Sequence, residues 1–244
     1  MNFLLLAPEE LSTDGTARLC DRRAEHLRTV LRAEPGQLLR CGILNGMLGE
    51  AEVLTLTAHE ATVRVTLQRD PEPVGGDVLL LATPRPKVLM RMLAHAAALG
   101  FARIVLFRSW RVDKTWMMSK AFDPAVQREQ LLYGLEQAGR TRIPDLEVHD
   151  RFKPMIEDHL DRMELPSSQR FVAHPTARTA THTLTRNDGP FALALGPDGG
   201  FLPYEVEQFE SFGFTAITCG PHALRTETAL AVLWGQLHLL RQRQ

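Results

Sequence analysis

The chain has 244 residues, of which 44% are hydrophobic, and its formal net charge is -1. This is enough apolar material for a sizeable core in one or two domains, and it excludes intrinsic disorder. The three cysteines, Cys20, Cys41 and Cys219, are scattered, so we expect neither a disulfide framework nor a metal site. Because no apolar run approaches ~20 residues and no secretory signal is recognisable, the sequence predicts a cytoplasmic protein without a membrane segment.

The N-terminal part of the chain is predicted to form a small β-rich domain. One short helix is expected around "RAEHLRTVL", and the runs that follow it are β-like and interrupted by Asn-Gly and Gly-Glu. Among them "ATVRVTLQ" alternates with a period of two, as a half-buried strand does. Proline and glycine cluster in Arg69–Asp77. We therefore predict a β-barrel domain of residues 1–72 and a second domain of residues 73–244.

The second domain alternates short apolar runs with helical segments. Such runs are typical of strands covered on both faces, as in a parallel sheet. The predicted strands cover residues 78–83, 103–107, 170–173, 191–195 and 214–218. The predicted helices are one that ends at Gly100, one between Asp123 and Gly139, one that begins at Pro203, and one from about Glu227 to the C-terminus. The fold class is therefore α/β with a parallel sheet.

Charge is distributed unevenly along this near-neutral chain. Between Arg85 and Lys153 there are 13 Lys and Arg against 7 Asp and Glu, and between Arg18 and Arg40 there are six arginines against three acids. Such segments can form a surface that faces phosphate groups. Charge by itself favours the simpler alternative, the solvated face of ordinary helices.

The first chemistry-bearing stretch is "LALGPDGGFLPYE", residues 193–205. A predicted strand ends here, three glycines follow within five residues, and a helix opens at Pro203. Glycines at such a turn let backbone N–H groups approach a ligand, and open α/β sheets bind ligands at the carboxyl ends of their strands. The stretch is neither a Walker loop nor a GxGxxG turn. A purely structural strand-to-helix turn is the alternative.

The second stretch is "GPHALRTETALA", residues 220–231. Thr226 is expected to cap the final helix, with Glu227 favourably placed near its positive end. Because the helix dipole disfavours a cation at this position, we expect Arg225 to pair with an anion or a carboxylate elsewhere. The helix is apolar on more than one face and is predicted to be buried across a subunit interface. Its apolar stripe consists of Leu230, Leu233, Trp234, Leu237 and Leu240.

The third stretch is "FVAHPTA", residues 171–177, where another predicted strand ends in a polar turn at His174. An ordinary loop histidine is the simpler explanation of that residue. The three loops in this order nevertheless resemble the signature of the SPOUT class of knotted methyltransferases. Within that class they are similar to the ribosomal RNA small subunit methyltransferase E family, and the resemblance extends over essentially the whole chain.

The resemblance implies a fold, an activity and partners. The fold is an N-terminal PUA-like β-barrel followed by a C-terminal α/β domain tied in a trefoil knot. The activity is methylation of N3 of a uridine in 16S rRNA with S-adenosylmethionine as the methyl donor. The partners are 16S rRNA, within the small ribosomal subunit, and a second copy of the chain in a homodimer.

The resemblance also implies roles for individual residues. Those that would bind S-adenosylmethionine are His174, Pro175, Leu195, Gly196, Gly200, Cys219, Gly220, Leu224 and Arg225. Arg225 is the first candidate for a catalytic cation and Arg140 the second. No residue stands out as general base; Glu227 and Asp198 are the candidates, and solvent is the alternative. Candidate RNA contacts are Arg28, Arg32 and Arg142.

This sequence departs from the family pattern at two places. Asp198 stands where a glutamate is usual, and His95 and Ala98 replace a Lys and a Glu on the helix that ends at Gly100. If the Asp198 carboxylate merely caps the next helix, little changes; if it reaches Arg225 or the substrate, the geometry suffers.

Two alternatives stay open at this point, and a third is excluded. The chain could be a SPOUT methyltransferase for tRNA or 23S rRNA, or a non-catalytic RNA-binding relative. A nucleotide-binding α/β enzyme would require a phosphate loop with a lysine, which the sequence lacks.

Overall fold

The computed structural model describes residues 3–73, 75–185 and 188–242. These residues form two compact units. The first unit contains residues 3–73 together with residues 132–143, and the second contains residues 75–131 and 144–242. The sequence interpretation assigned residues 132–143 to the second domain, but their contacts place them in the first unit.

A five-stranded mixed sheet forms the first unit. Its strands lie in the order β1-β3-β4-β5-β2, with β1 parallel to β3 and the other neighbours antiparallel. The elements are β1 (Phe3–Leu6), β2 (Thr16–Leu19), α1 (Arg22–Thr29), β3 (Leu38–Ile43), β4 (Leu48–Leu56) and β5 (Ala61–Arg69), with a 3₁₀ turn at Pro8–Glu10. Strands β1 and β2 are the two edges and do not pair with each other in the described part of the chain, so a closed barrel is not confirmed.

Residues 132–143 are bound to this sheet by hydrogen bonds to the turn between β3 and β4. Asn45 occupies the left-handed region at φ 57°, and its side chain accepts a hydrogen bond from the Ile143 N–H at 3.1 Å. The Thr141 hydroxyl donates to the Gly46 carbonyl at 2.8 Å. The Asn-Gly pair that breaks the β pattern in the sequence is thus also the anchor for a distant segment.

A second anchor is the ion pair between Arg22 and Glu136. The Arg22 guanidinium donates to both carboxylate oxygens at 2.8 and 2.9 Å, and it lies over the Tyr133 ring. The Glu136 side chain is only 3% exposed. Burial raises the pKa of Glu136 above its ordinary value, and Arg22 is the main influence that opposes this rise.

We expect Arg22→Ala to destabilise the first unit by about 2 kcal/mol at pH 7, because it leaves a buried carboxylate without its partner. Loss of Arg22 raises the pKa of Glu136 further. The destabilisation is therefore complete well above the ordinary carboxyl pKa and shrinks as the pH falls and the folded protein takes up the proton. Urea unfolding at pH 4.5 and pH 7 measures this. Arg18→Ala, which breaks an exposed pair with Glu60, is the control; an equal loss there, or no pH dependence, contradicts the prediction.

A seven-stranded parallel sheet forms the second unit, in the order β10-β12-β9-β11-β6-β7-β8. From β6 the chain proceeds outward through β7 and β8 and then returns to the other side of β6. Its strands are β6 (Val78–Ala82), β7 (Arg103–Phe107), β8 (Asp145–His149), β9 (Arg170–Ala173), β10 (Thr179–Ala180), β11 (Ala192–Leu195) and β12 (Thr215–Thr218). The predicted α/β class with a parallel sheet is confirmed.

The helices of the chain after β6 are α2 (Pro86–Leu99), α3 (Pro124–Ala138), α4 (Phe152–Pro154), α5 (Pro203–Ser211) and α6 (Thr226–Gln242). The division between the two units falls within α3. The short α4 continues as a π-helical turn, Met155–His159, and 3₁₀ turns occur at Lys114–Met118, Lys120–Phe122, Leu160–Met163 and Thr181–Thr183. Helix α2 ends as predicted, with Gly100 at φ 84°.

Apolar strands and aromatic rings form the core of the second unit. Phe209 lies at its centre, with ring centroids 5.0 to 6.1 Å from those of Phe107, Phe152, Phe201 and Phe214. All five strands predicted for this unit are present. Strand β8 was missed because it is a half-exposed edge strand with polar residues, and β10 has only two residues.

The last helix begins one residue before its predicted start. Thr226 is its first residue, and the Arg225 carbonyl accepts the hydrogen bond from the Ala229 N–H, so the prediction of Thr226 as the cap is wrong. The predicted burial is correct for Leu230, Leu233, Leu237 and Leu240. No helix in the described residues is long and apolar enough to cross a membrane.

Candidate functional site

Three strand-end loops of the second unit surround one cavity of about 230 Å³. Because the sheet is parallel, the loops after β9, β11 and β12 meet at the same edge, where such sheets bind ligands. Seven of the nine residues proposed for cofactor binding line this cavity: His174, Pro175, Leu195, Gly196, Gly200, Cys219 and Leu224. The three loops, which are well separated in the sequence, therefore form one site.

The glycine loop after β11 is tightly folded. Gly200 adopts φ 68°, where a side chain would be strained, and its N–H donates to the Pro197 carbonyl at 2.8 Å. A Cβ at Gly196 would lie 3.0 Å from the Phe201 nitrogen. Both glycines are thus required by the backbone, which leaves a concave surface on the cavity side.

Asp198, the residue that departs from the family pattern, forms an ion pair with Arg85 at 3.2 Å. Arg85 is the residue that precedes α2. The carboxylate therefore neither reaches Arg225 nor caps α5; it connects the glycine loop to the start of another helix. Since both side chains are partly exposed, this pair contributes little to stability.

The loop after β12 is held by one hydrogen bond within the loop and one from α6. The Thr218 hydroxyl donates to the Gly220 carbonyl at 2.9 Å, and the Gln236 amide of α6 donates to the Cys219 carbonyl at 3.2 Å. Gly220 does not line the 230 Å³ cavity but a neighbouring one. The Thr226 hydroxyl makes a long contact of 3.4 Å with the Gly196 carbonyl, which joins the start of α6 to the glycine loop.

Glu227 is engaged outside the cavity. Its carboxylate accepts a hydrogen bond from Arg91 of α2 at 2.9 Å, and this bond lowers the pKa of Glu227. A carboxylate with a lowered pKa is a weaker proton acceptor near neutral pH. The geometry therefore favours Glu227 as a link between α2 and α6 and does not support it as a general base.

Arg225 is exposed and lies between two residues, Leu224 and Thr226, that both line the cavity. Within the described residues it forms no ion pair. The carboxylate partner that the sequence led us to expect is thus not found, and the guanidinium remains available to an anion from outside the chain.

The other predicted arginines belong to the first unit. Arg28 and Arg32 are exposed, whereas Arg140 is half-buried and pairs with Glu72 at 3.0 Å. Arg142 is half-buried as well, and its Nε has no hydrogen-bond partner in the described part of the chain. The structure therefore groups Arg225 with the cavity and places these four arginines on a separate unit.

Sequence reasoning missed Glu205, which is fully buried in the first turn of α5. One carboxylate oxygen accepts a hydrogen bond from the Leu202 N–H at 2.9 Å, and the other accepts one from the Trp110 N–H at 3.0 Å. The same two loops meet again where Arg111 donates to the Gly199 carbonyl. The local half of this arrangement was visible in the sequence, since proline at the first helical position followed by glutamate at the third is a capping signal.

Comparison with known proteins agrees with this fold. The RNA methyltransferase domain family matches residues 71–238, which is more than half of the chain. The chain therefore belongs to the RNA methyltransferase domain family.

The curated relatives are more specific in name. The chain is 28% identical over 235 residues to ribosomal RNA small subunit methyltransferase E of Treponema pallidum, an alignment that covers 94% of this chain and 87% of that protein. It is 25% identical over 222 residues to the enzyme of the same name from Mycobacterium bovis, covering 89% and 84%.

Solved structures share the whole fold. A Legionella pneumophila methyltransferase in complex with S-adenosylmethionine is 21% identical, with a TM-score of 0.75 and coverage of 98% and 97%. Ribosomal RNA small subunit methyltransferase E of Neisseria gonorrhoeae, also bound to S-adenosylmethionine, is 22% identical, with a TM-score of 0.70 and coverage of 99% and 96%.

Proposed function

We propose that this protein methylates N3 of a uridine in 16S rRNA, using S-adenosylmethionine bound in the 230 Å³ cavity. The observation that carries the proposal is the convergence of the loops after β9, β11 and β12 on one cavity, with Arg225 at its exposed edge. The names of the full-length relatives support the choice of RNA.

The residues around the cavity suit S-adenosylmethionine. Leu195, Ile217 and Leu233 supply buried apolar walls for an adenine ring. Gly196 and Gly200 leave backbone open where polar parts of the cofactor would bind. When bound, S-adenosylmethionine supplies a methyl group on a sulfonium, an electrophile that needs alignment with its acceptor more than covalent help.

Arg225 has the central chemical role in the proposal. Uracil N3 becomes nucleophilic as its proton leaves, and negative charge then develops on the ring carbonyl oxygens. An exposed guanidinium that forms no ion pair within the described residues is suited to stabilise that charge. The base must first be taken out of its pairing, as enzymes that modify bases generally do. Solvent accepts the proton, since Glu227 is paired with Arg91.

Three further features belong to the same proposal. The first unit serves as a PUA-like barrel that binds RNA through Arg28, Arg32, Arg140 and Arg142, and the second unit carries a trefoil knot in its C-terminal part. The protein acts in the cytoplasm as a homodimer. Support for the dimer comes from Leu239, which is 53% exposed on α6 and lines a second cavity of about 440 Å³ with Leu240 and Gln236.

We expect S-adenosylmethionine to protect Cys219 from iodoacetamide. At a concentration ten times its Kd, occupancy of the cavity should slow alkylation of Cys219 about tenfold. Exposed Cys20 is the internal control, and its rate should not change. Burial raises the pKa of Cys41 to about 11, so Cys41 should stay unmodified in the folded protein. Mass spectrometry of the digests measures all three, and equal Cys219 labelling with and without ligand contradicts the cofactor site.

The substrate is tested by deleting the gene and mapping lost methylation across all stable RNAs by mass spectrometry. The expected result is the loss of one N3-methyluridine from 16S rRNA, restored by the wild-type gene. If a tRNA or 23S rRNA position is lost instead, the substrate assignment is wrong. If no position is lost and calorimetry detects no binding of S-adenosylmethionine, the protein is a non-catalytic relative.

A further inference from the structure

Another cavity of the second unit has no role in the site described above. It measures about 650 Å³ and shares no lining residue with the 230 Å³ cavity. It lies beyond the carboxyl ends of β7 and β8, at the start of α5, which is the same functional edge of the parallel sheet. Its volume is in the range of small-molecule binding sites.

Two aromatic side chains of this cavity are exposed. Trp110 is 78% exposed and Tyr204 is 45% exposed, so neither is needed to fill the core. Phe152 also belongs to the lining and is buried. Exposed aromatic faces are the platforms on which proteins stack unpaired bases, and stacking tolerates any base.

Three cations line the same cavity: Arg108, Arg151 and Lys153. The nearest carboxylates are at loose distances, 3.8 Å from Arg151 to Asp150 and 3.6 Å from Lys153 to Glu157. Exposed pairs of this kind are weak, so a phosphate oxygen can replace the carboxylate at little cost. Arg108 is better fixed, because its Nε donates to the Asp150 carbonyl at 2.8 Å.

The cavity also offers groups that suit the polar edge of a base. Ser109 belongs to the lining through its backbone, while its hydroxyl is buried and has no hydrogen-bond partner in the described residues, which is unusual for a buried polar group. The carboxylates of Glu157 and Asp158 can accept from base amino groups. With three cations against two carboxylates, the lining suits a single nucleotide better than a long phosphate backbone.

The backbone of the cavity wall is irregular. Met155–His159 forms a π-helical turn instead of continuing α4, and such turns occur frequently at functional sites. Two contacts connect the cavity to the glycine loop: the hydrogen bond from Trp110 N–H to Glu205 and that from Arg111 to the Gly199 carbonyl. A ligand on Trp110 is therefore held on a loop that is fixed to the cofactor loop.

From these observations we infer that the 650 Å³ cavity binds one unpaired nucleotide of the RNA substrate, near the uridine that is methylated. The base stacks on Trp110 and Tyr204, and its phosphate binds Arg151 and Lys153. The inference rests on the proposed function for its choice of RNA. It assigns to the second unit an RNA contact separate from the arginines of the first unit.

Kinetics with small ribosomal subunits that lack the modification test this inference. In the double variant Trp110→Ala/Tyr204→Ala, we expect KM for the subunits to rise about tenfold or more, because stacking contacts of this type carry such an effect. The rate at saturating subunits should stay within about threefold of wild type, and the Kd for S-adenosylmethionine should not change. The single variant Trp110→Phe keeps a stacking ring and should retain most of the wild-type affinity for the subunits.

Met118→Ala is the matched control. Met118 is 81% exposed and lies, like Trp110, in the segment between β7 and α3, but it does not line the cavity. Arg151→Gln/Lys153→Gln should raise KM and reduce its dependence on salt, whereas Lys120→Gln, at an exposed position outside the cavity, should change neither. An unchanged KM in the aromatic double variant overturns the inference.

Photocrosslinking identifies what occupies the cavity. With Tyr204 replaced by p-benzoylphenylalanine, we expect an adduct with small-subunit RNA that nuclease digests. An adduct with a ribosomal protein, or no adduct, overturns the inference. The outcome is separable from the proposed function: methylation by the wild type without an RNA adduct rejects only the nucleotide site. An RNA adduct without N3 methylation of uridine rejects only the proposed reaction.

Discussion

Arg225→Ala is expected to lower the rate of methyl transfer ~10²–10³-fold at saturating S-adenosylmethionine and saturating small subunits, the usual effect of removing a group that stabilises transition-state charge. The Kd for S-adenosylmethionine should change only a few-fold, because the apolar walls and the glycine loop of the 230 Å³ cavity remain. The fold should also be unaffected, since Arg225 is exposed and forms no ion pair within the described residues. Single-turnover kinetics and calorimetry measure the two quantities separately.

Two variants make this experiment specific. Arg225→Lys keeps the charge but loses the planar donor fork, so we expect an intermediate rate. Arg128→Ala removes an exposed arginine from α3 and should leave the rate unchanged. If Arg225→Ala reduces only the affinity for S-adenosylmethionine, the residue is a cofactor contact and has no catalytic role.

The sequence was most informative where local composition decides the structure. The central strands β6, β7 and β11 of the parallel sheet were predicted because their residues are almost all apolar and buried, as in strands covered on both faces. The edge strand β8 was not, because its polar residues give no such pattern. The strand-end loops were recognised for a related reason, since glycines and polar residues directly after a buried strand are visible without knowledge of the fold.

Contacts between distant segments could not be predicted in this way. Nothing local indicates that Arg22 pairs with Glu136, 114 residues away, and this contact helps to place residues 132–143 in the first unit. The pair of Arg91 and Glu227 is separated by 136 residues. It changed the interpretation of Glu227 from a candidate base to a link between helices.

Glu205 makes one contact that the local sequence predicts and one that it does not. Its bond to the Leu202 N–H is local and follows from its place in the first turn of α5. Its bond to the Trp110 N–H joins residues 95 positions apart and depends on the parallel arrangement of β7 and β11 around β6. Through this second bond, one buried carboxylate connects the glycine loop of the 230 Å³ cavity to the Trp110 loop of the 650 Å³ cavity.

We therefore expect Glu205→Gln to destabilise the protein by about 3 kcal/mol, although the two side chains have nearly the same shape. Glu205 accepts a backbone N–H on each oxygen, whereas glutamine has one acceptor oxygen and must point its NH₂ group at the other N–H. One buried donor is then left unsatisfied beside a second donor, and the charge-assisted bond to the other is weakened. Urea unfolding measures the loss of stability.

The functional effect of the same substitution separates positioning from chemistry. Because the Trp110 loop loses its anchor, both the Kd for S-adenosylmethionine and KM for small subunits should rise, while Arg225 itself stays intact. Glu207→Gln changes an exposed glutamate on the same helix and should alter neither stability nor binding. If Glu205→Gln were as stable as Glu207→Gln, the two hydrogen bonds would not hold the loops together. If it lost stability but kept both affinities, the two cavities would not depend on this anchor.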